Sequence, residues 1–149
     1  MYKVILCPYD QSENAGRAIE HAAKLADFHN AKLIILSVFD DPFKFEGGSY
    51  LLNNNVLAMD LMSKMKLELE ADMAKVVSDL KSLHTHLDVE LINLDANDIG
   101  ESILETAKNS NVDLIVMGSH GRKGIKRLVM GSVAEYVFRN SNCPVTIVK

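Results

Sequence analysis

The sequence predicts an α/β fold: a doubly wound, five-stranded parallel sheet in a three-layer α/β/α arrangement. Three observations predict it. Short, β-rich apolar runs alternate with stretches of helical period along the whole chain. Most of those runs are near-continuously apolar, the pattern of strands covered on both faces. A helix separates each run from the next, which implies parallel pairing through right-handed crossovers.

Each element can be justified in order. Tyr2 to Cys7 is apolar and too short for a helix. Ser12 or Glu13 opens an amphipathic stretch with Ala15, Ile19, Ala22, Ala23 and Ala26 on one face. Lys32 to Phe39 is a second apolar strand. A loop rich in Asp, Gly and Asn runs from Asp40 to about Asn55, and reads equally as a functional lid or an irregular connection. Met62, Met65, Leu69, Met73, Val76, Leu80 and Leu83 mark a long helix by their spacing at threes and fours. Their methionines read as core packing at that spacing. Asp88 to Leu94 alternates, as a strand nearer a sheet edge does. Ile99 to Asn109 is a short helix, Val112 to Met117 a buried strand, Ser132 to Asn140 a helix and Pro144 to Val148 a final strand. The pattern is Rossmann-like, with strand order 3-2-1-4-5 expected and one domain over residues 1–149.

Composition narrows the function classes. The 149 residues include 48% hydrophobic and 24% charged side chains, ordinary for a globular domain with a sizeable core. A net charge of −4 gives no global basic field for nucleic acid or anionic lipid. The opening MYKVILCPYD lacks the length and cleavage site of a secretory signal, and no apolar run approaches membrane-spanning length. The two cysteines, Cys7 and Cys143, make no disulfide framework, so a reducing cytoplasmic setting is expected.

The chemistry is expected at the carboxyl ends of the strands, where strand order reverses. The first strand runs into Pro8-Tyr9-Asp10-Gln11-Ser12. The fourth runs into Met117-Gly118-Ser119-His120-Gly121, and that segment ends at Gly131-Ser132. Gly118 directly follows a buried strand, where a missing side chain lets backbone approach a ligand. Gly121 suits a positive φ that turns N–H groups inward. Ser132 reads as an N-cap or first-turn residue of the next helix, and a helix N-terminus with free N–H groups favours anions. Neither a Walker loop nor a Gly-x-Gly-x-x-Gly fingerprint after the first strand is present.

The spacing Gly-x2-Gly-x9-Gly-Ser resembles the ATP-binding signature of the universal stress protein family. The string VDLIVMGSHGRKGIKRLVMGSVAEYVFRNSNCPVTIVK is similar to that family's C-terminal third, and CPYDQSENA to its opening turn. The resemblance implies an ATP-binding regulatory module of the stress response, possessing a homodimer contact through the last strand, residues 144–148. It implies that Pro8 and Asp10 line the nucleotide, with Asp10 near the ribose or a Mg²⁺-phosphate group. It further implies that Val38 contacts adenine, that Met117 and Gly118 meet ribose and phosphate by backbone, and that Gly121, Arg122, Gly131, Ser132 and Val133 form the phosphate loop and helix start. The residues themselves also allow Asp10 as a turn or capping aspartate and Val38 as plain core. One segment departs from the family pattern: Leu94-Asp95-Ala96-Asn97-Asp98-Ile99 stands where many members carry Gly-Asp-Pro. Asp98 can still cap the following helix.

The remaining candidates carry less. Arg122, Lys123, Lys126 and Arg127 fit a phosphate site by sign, and equally fit a solvated loop. His120 is expected at the surface rather than as a general base. His84 and His86 lack a third ligand at metal spacing. Cys7 reads as core. The alternative to a binding module is a slow Mg²⁺-dependent ATPase, for which Asp10 is the best feature; no water-positioning base or catalytic arginine is evident.

Overall fold

The computed structural model describes residues 1–39, 56–121 and 130–149. The loop expected over 40–55 lies outside the described residues. Nine elements follow in chain order: β1 (Val4–Pro8), α1 (Glu13–His29), β2 (Lys32–Phe39), α2 (Val56–Leu83), β3 (Val89–Asp95), α3 (Ile99–Asn109), β4 (Leu114–Gly118), α4 (Ser132–Asn140) and β5 (Val145–Val148). The sheet order is β3-β2-β1-β4-β5 and every described pairing is parallel. The alternating pattern in the sequence therefore gives the architecture it predicts.

Helices cover both faces of the sheet. Ile5 and Cys7 of β1 face one way, packing with Leu33, Ile35, Leu114 and Val116 against α1 and α2. Leu6 faces the other way, with Ile34, Leu36, Ile115 and Met117 against α3 and α4. This accounts for the near-continuous apolar runs in β1, β2 and β4, whose buried side chains pack towards helices on both faces. β3 lies at an edge with alternating burial, as its sequence predicts. The buried face of α1 is almost all alanine: Ala15, Ala18, Ala22, Ala23 and Ala26 join Ile19. Those small side chains let the helix lie close on the sheet.

Helix ends follow local chemistry. Ser12 caps α1 by accepting the Ala15 N–H at 3.1 Å, and Asn30 closes it in the left-handed region at φ 51°. Asp98 caps α3 by accepting the Glu101 N–H at 2.9 Å, as the sequence suggested.

Several boundaries shift from their expected positions, each for a hydrogen-bonding reason. β1 starts at Val4 rather than Tyr2, because the Asp113 carboxylate accepts the N–H groups of Lys3 (2.7 Å) and Val4 (2.9 Å). β4 starts at Leu114 rather than Val112, whose N–H closes the end of α3 on the Ala107 carbonyl. β5 starts at Val145 rather than Pro144, which has no N–H for a ladder.

Asp113 yields a pH expectation. The N–H groups of Lys3 and Val4 hold its carboxyl below the ordinary value of 3.8. A lowered carboxyl stabilises the fold fully above that ordinary value, and the contribution is lost as pH falls through the lower folded value. Asp113→Ala should therefore be less stable than wild type at neutral pH, with the gap narrowing towards pH 2. Urea denaturation at both pH values checks this; a gap that does not narrow would remove the carboxylate from the account.

Candidate functional site

β1 lies between β2 and β4, so chain direction from β1 divides at the crevice between the carboxyl ends of β1 and β4. This is the switch point at which open α/β sheets bind ligands. Two walls meet there.

The first wall is the turn after β1. The Tyr9 N–H donates to the Leu36 carbonyl at 2.8 Å, which keeps the chain beside β2 beyond Pro8. The Tyr9 hydroxyl donates to Asp72 of α2 at 2.6 Å. Burial and that carboxylate push the phenol well above its usual range. Asp10 then turns the chain: its Oδ1 accepts the Ser12 N–H at 3.0 Å, while Gln11 takes the left-handed region at φ 65°. Asp10 is thus the turn residue and Ser12 is the cap of α1.

The second wall is the connection after β4. The Ser119 N–H donates to the Val148 carbonyl at 2.7 Å, extending the β4–β5 contact past Gly118. The Gly131 N–H donates to the Ser119 carbonyl at 2.7 Å. That bond closes the base of the glycine segment, bringing residues twelve apart in sequence into contact. Gly131 is the N-cap of α4, at φ −75° and ψ 159°, and has no side chain to cap it. Ser132 is therefore the first helical residue, not the cap. The Glu135 N–H makes the first bond of the helix, to the Gly131 carbonyl at 2.9 Å. No side chain caps the first turn of α4, the positive end of the helix dipole.

The walls are tied together. The His120 carbonyl accepts from Ser12 Oγ and from Asn14 Nδ2, each at 3.4 Å. A Cβ on Gly121 would lie 2.5 Å from Asp10 Oδ2. Gly121 therefore sits against the Asp10 carboxylate, which any side chain there would have to displace. Its φ lies outside the left-handed region, so the expected positive φ is corrected: the glycine instead lets the Asp10 carboxylate approach.

The space beside Gly118 is also occupied. A Cβ there would lie 2.9 Å from the Asn14 backbone carbon and from Asn14 Cβ, and 3.0 Å from the Ala15 nitrogen. The first turn of α1 fills the space a side chain would take, so the missing side chain lets that helix lie close on β4. Gly131 is less constrained, with a Cβ meeting the Ser119 carbonyl oxygen at 3.3 Å and His120 Cα at 3.4 Å.

Pro8, Asp10, Gly118, Gly121, Gly131, Ser132 and Val133 thus all border one end of the sheet. Met117 is 5% exposed and belongs to the core, so only its backbone borders the crevice. Val38 is half-buried near the end of β2, paired in register with Leu94, and packs on the same core cluster as Val133 and Met130. Arg122, Lys123, Lys126 and Arg127 lie outside the described residues. Cys7 is fully buried, as expected of a core residue, and burial pushes its thiol far up. His120, expected at the surface, is half-buried with its Nε2 enclosed. Asn14 and Ser119 are site residues that sequence reasoning missed. Their signal was position alone: one sits just inside the helix after the first turn, the other just after Gly118.

Among the described residues no three His, Cys, Asp or Glu side chains cluster to hold a metal, and no helix is long and apolar enough to cross a membrane. A groove of about 520 Å³ lies between α3 and α4, lined by residues such as Leu104, Tyr136 and Cys143. It sits at the amino ends of β4 and β5, away from the switch point.

Comparison with known proteins gives this site a context. The model of the universal stress protein family matches residues 1–149. Universal stress protein MJ0577 of Methanocaldococcus jannaschii is 32% identical, covering 100% of this chain and 96% of its own. Its solved structure superposes with a TM-score of 0.80. The universal stress protein UspA from Lactobacillus plantarum superposes at 0.86 with 24% identity, covering 99% and 98% of the two chains. A universal stress protein from Archaeoglobus fulgidus in complex with dAMP superposes at 0.67 with 17% identity, covering 100% and 98%. The last two likenesses concern the fold. A family match over the full length, on a sheet of this order, means that the chain belongs to the universal stress protein family.

Proposed function

We propose that this chain binds an adenine nucleotide, ATP, by its phosphates at the crevice between β1 and β4, as a cytoplasmic regulatory module built as a homodimer. One observation carries the reading: the Gly121 backbone lies against the Asp10 carboxylate, beside the uncapped first turn of α4. Free helical N–H groups favour phosphate oxygens there. The Archaeoglobus fulgidus relative holds dAMP in the same fold.

The residues present fit such a ligand. Gly131, Ser132 and Val133 would supply backbone donors and a hydroxyl to phosphate. Pro8, Val38 and the backbone of Met117 and Gly118 would border the nucleoside. Arg122 would add a cation to the phosphate side. Among the described residues Asp10 belongs to no group of three or more possible metal ligands, so a Mg²⁺ ion there would be held chiefly through the phosphates. A bound magnesium ion would supply charge neutralisation. The reading is of binding, and sustained phosphate release is the outcome that would replace it.

The dimer reading rests on β5, whose outer edge is unpaired within the described sheet and carries Val145, Ile147 and Val148. An apolar edge strand of this kind calls for a partner strand.

Purified protein tests these points together. Denaturation should release a nucleotide that absorbs at the adenine maximum, and calorimetry should show ATP binding with Mg²⁺. Light scattering should give twice the 16.5 kDa chain mass. No released nucleotide, together with no ATP binding at millimolar concentration, would sink the binding reading; a monomer mass would sink the dimer. Sustained phosphate release that Asp10→Ala abolishes would replace the module with an ATPase.

A further inference from the structure

Arg17 donates to three acceptors: Glu13 Oε1 through Nη1, Asn14 Oδ1 through Nη2, and the Lys149 carbonyl, just past β5, through Nε at 2.9 Å. The ion pair with Glu13 is exposed, and such pairs one helical turn apart add little to stability. The bond to Asn14 has a different consequence. Arginine carries donors only, and a peptide carbonyl is only an acceptor. Asn14 stands between the two: Oδ1 faces Arg17, while Nδ2 donates to the His120 carbonyl at 3.4 Å. Turned over, the amide would set its NH₂ against the guanidinium and its oxygen against the carbonyl, and would lose both bonds. Arg17 thus fixes the one orientation in which Asn14 joins the two walls of the crevice.

Arg17 is itself held. The main chain past β5 takes Nε and Glu13 takes Nη1, so the planar guanidinium is fixed from two further sides. A lysine has a single charged nitrogen on a flexible stem and cannot span these acceptors together. The Ser12 hydroxyl also donates to the His120 carbonyl at 3.4 Å, but its oxygen is set by its own cap bond to the Ala15 N–H. Asn14 is the donor to His120 whose direction depends on Arg17.

We infer that Arg17 is a positioning residue for nucleotide binding: it orients the Asn14 amide, and Asn14 holds the His120 carbonyl, and with it the start of the glycine segment, against the first turn of α1. This rests on the nucleotide reading above and adds to it a residue that acts through another rather than on the ligand. The site uses the fork of the guanidinium, not its charge.

The test is a double-mutant cycle read by ATP titration, with folding followed by thermal melting. Arg17→Lys keeps the charge, so any long-range attraction to phosphate is unchanged. Arg17→Lys and Asn14→Ala should each weaken ATP binding about three- to tenfold, the worth of one hydrogen bond. Both should melt within about 2 °C of wild type. The double variant should bind no more weakly than Asn14→Ala, because Arg17 then has no amide left to orient. Unchanged ATP affinity in Arg17→Lys would overturn the inference, as would losses that multiply in the double variant. A melting point that falls in step with affinity would make Arg17 a structural residue and overturn it too. Should a variant fail to fold, nitrogen NMR of wild-type protein decides. One Asn14 side-chain amide proton should be shielded from exchange with water, and its signal should move when ATP is added. An Asn14 amide that exchanges freely and ignores ATP would overturn the inference without any variant. Failure of wild-type protein to bind ATP would instead overturn the nucleotide reading itself, and this inference with it.

Discussion

Gly118→Ala should destabilise the protein by about 2–3 kcal/mol, at the upper end of the usual cost of adding a methyl group to a packed interior. The new Cβ would fall 2.9 Å from the Asn14 backbone carbon and 3.0 Å from the Ala15 nitrogen. Those atoms are the main chain of α1, not the end of a flexible side chain. Relief requires the whole first turn of α1 to lift from β4. That turn is anchored by the Ser12 cap and by the Asn14 and Ser12 bonds to the His120 carbonyl, so lifting it strains all three. For a chain of this size the loss corresponds to a melting point about 5–10 °C lower. Gly118→Val should be worse, with part of the chain failing to fold. Differential scanning calorimetry checks the first variant and soluble yield the second. A melting point within about 2 °C of wild type for Gly118→Ala would mean that α1 gives way easily, and that Gly118 owes its identity to something other than helix packing.

The contrast between Gly118 and its neighbours shows how far the sequence could be read. The sheet and its order were legible because the signal is periodic and redundant: the apolar runs of β1, β2 and β4, the alanine face of α1 and the alternation of β3 each report the same architecture. The capping residues Ser12 and Asp98 were legible because their chemistry is local. Strand ends were less so. The start of β1 is set by Asp113, a residue more than a hundred positions away, whose carboxylate takes the N–H groups that a longer strand would have used. The glycines were legible as a set, and the positive φ expected at Gly121 was not. Sequence spacing shows that a position tolerates no side chain, but not what occupies the space. At Gly118 it is α1, and at Gly121 it is Asp10 rather than a left-handed turn. Likewise, His120 looked like a surface loop residue. Only the fold shows that its ring is turned inward against Ser119 and Gly131.

Gly121→Ala should produce the opposite pattern: a fold of nearly unchanged stability and a site that binds nucleotide at least about tenfold more weakly, a loss of about 1.4 kcal/mol. The residue is exposed and its φ is open to any L-amino acid, so the backbone carries no strain. Among the described residues, the close contact of the added Cβ is Asp10 Oδ2, at 2.5 Å. A carboxylate end can swing away where the α1 main chain cannot, so stability should change by less than about 1 kcal/mol. The swing has a functional cost. Oδ1 of the same carboxylate holds the Ser12 N–H, so rotation about the side chain disturbs the turn that aligns the first wall. It also moves the negative charge relative to the first turn of α4, and with it any magnesium ion held between Asp10 and phosphate. Measured side by side, Gly118→Ala should fail in calorimetry by heat, and Gly121→Ala in calorimetry by ATP titration. If Gly121→Ala binds ATP as wild type does, the Asp10 carboxylate is not part of the phosphate site, and the nucleotide must rest on the α4 wall alone.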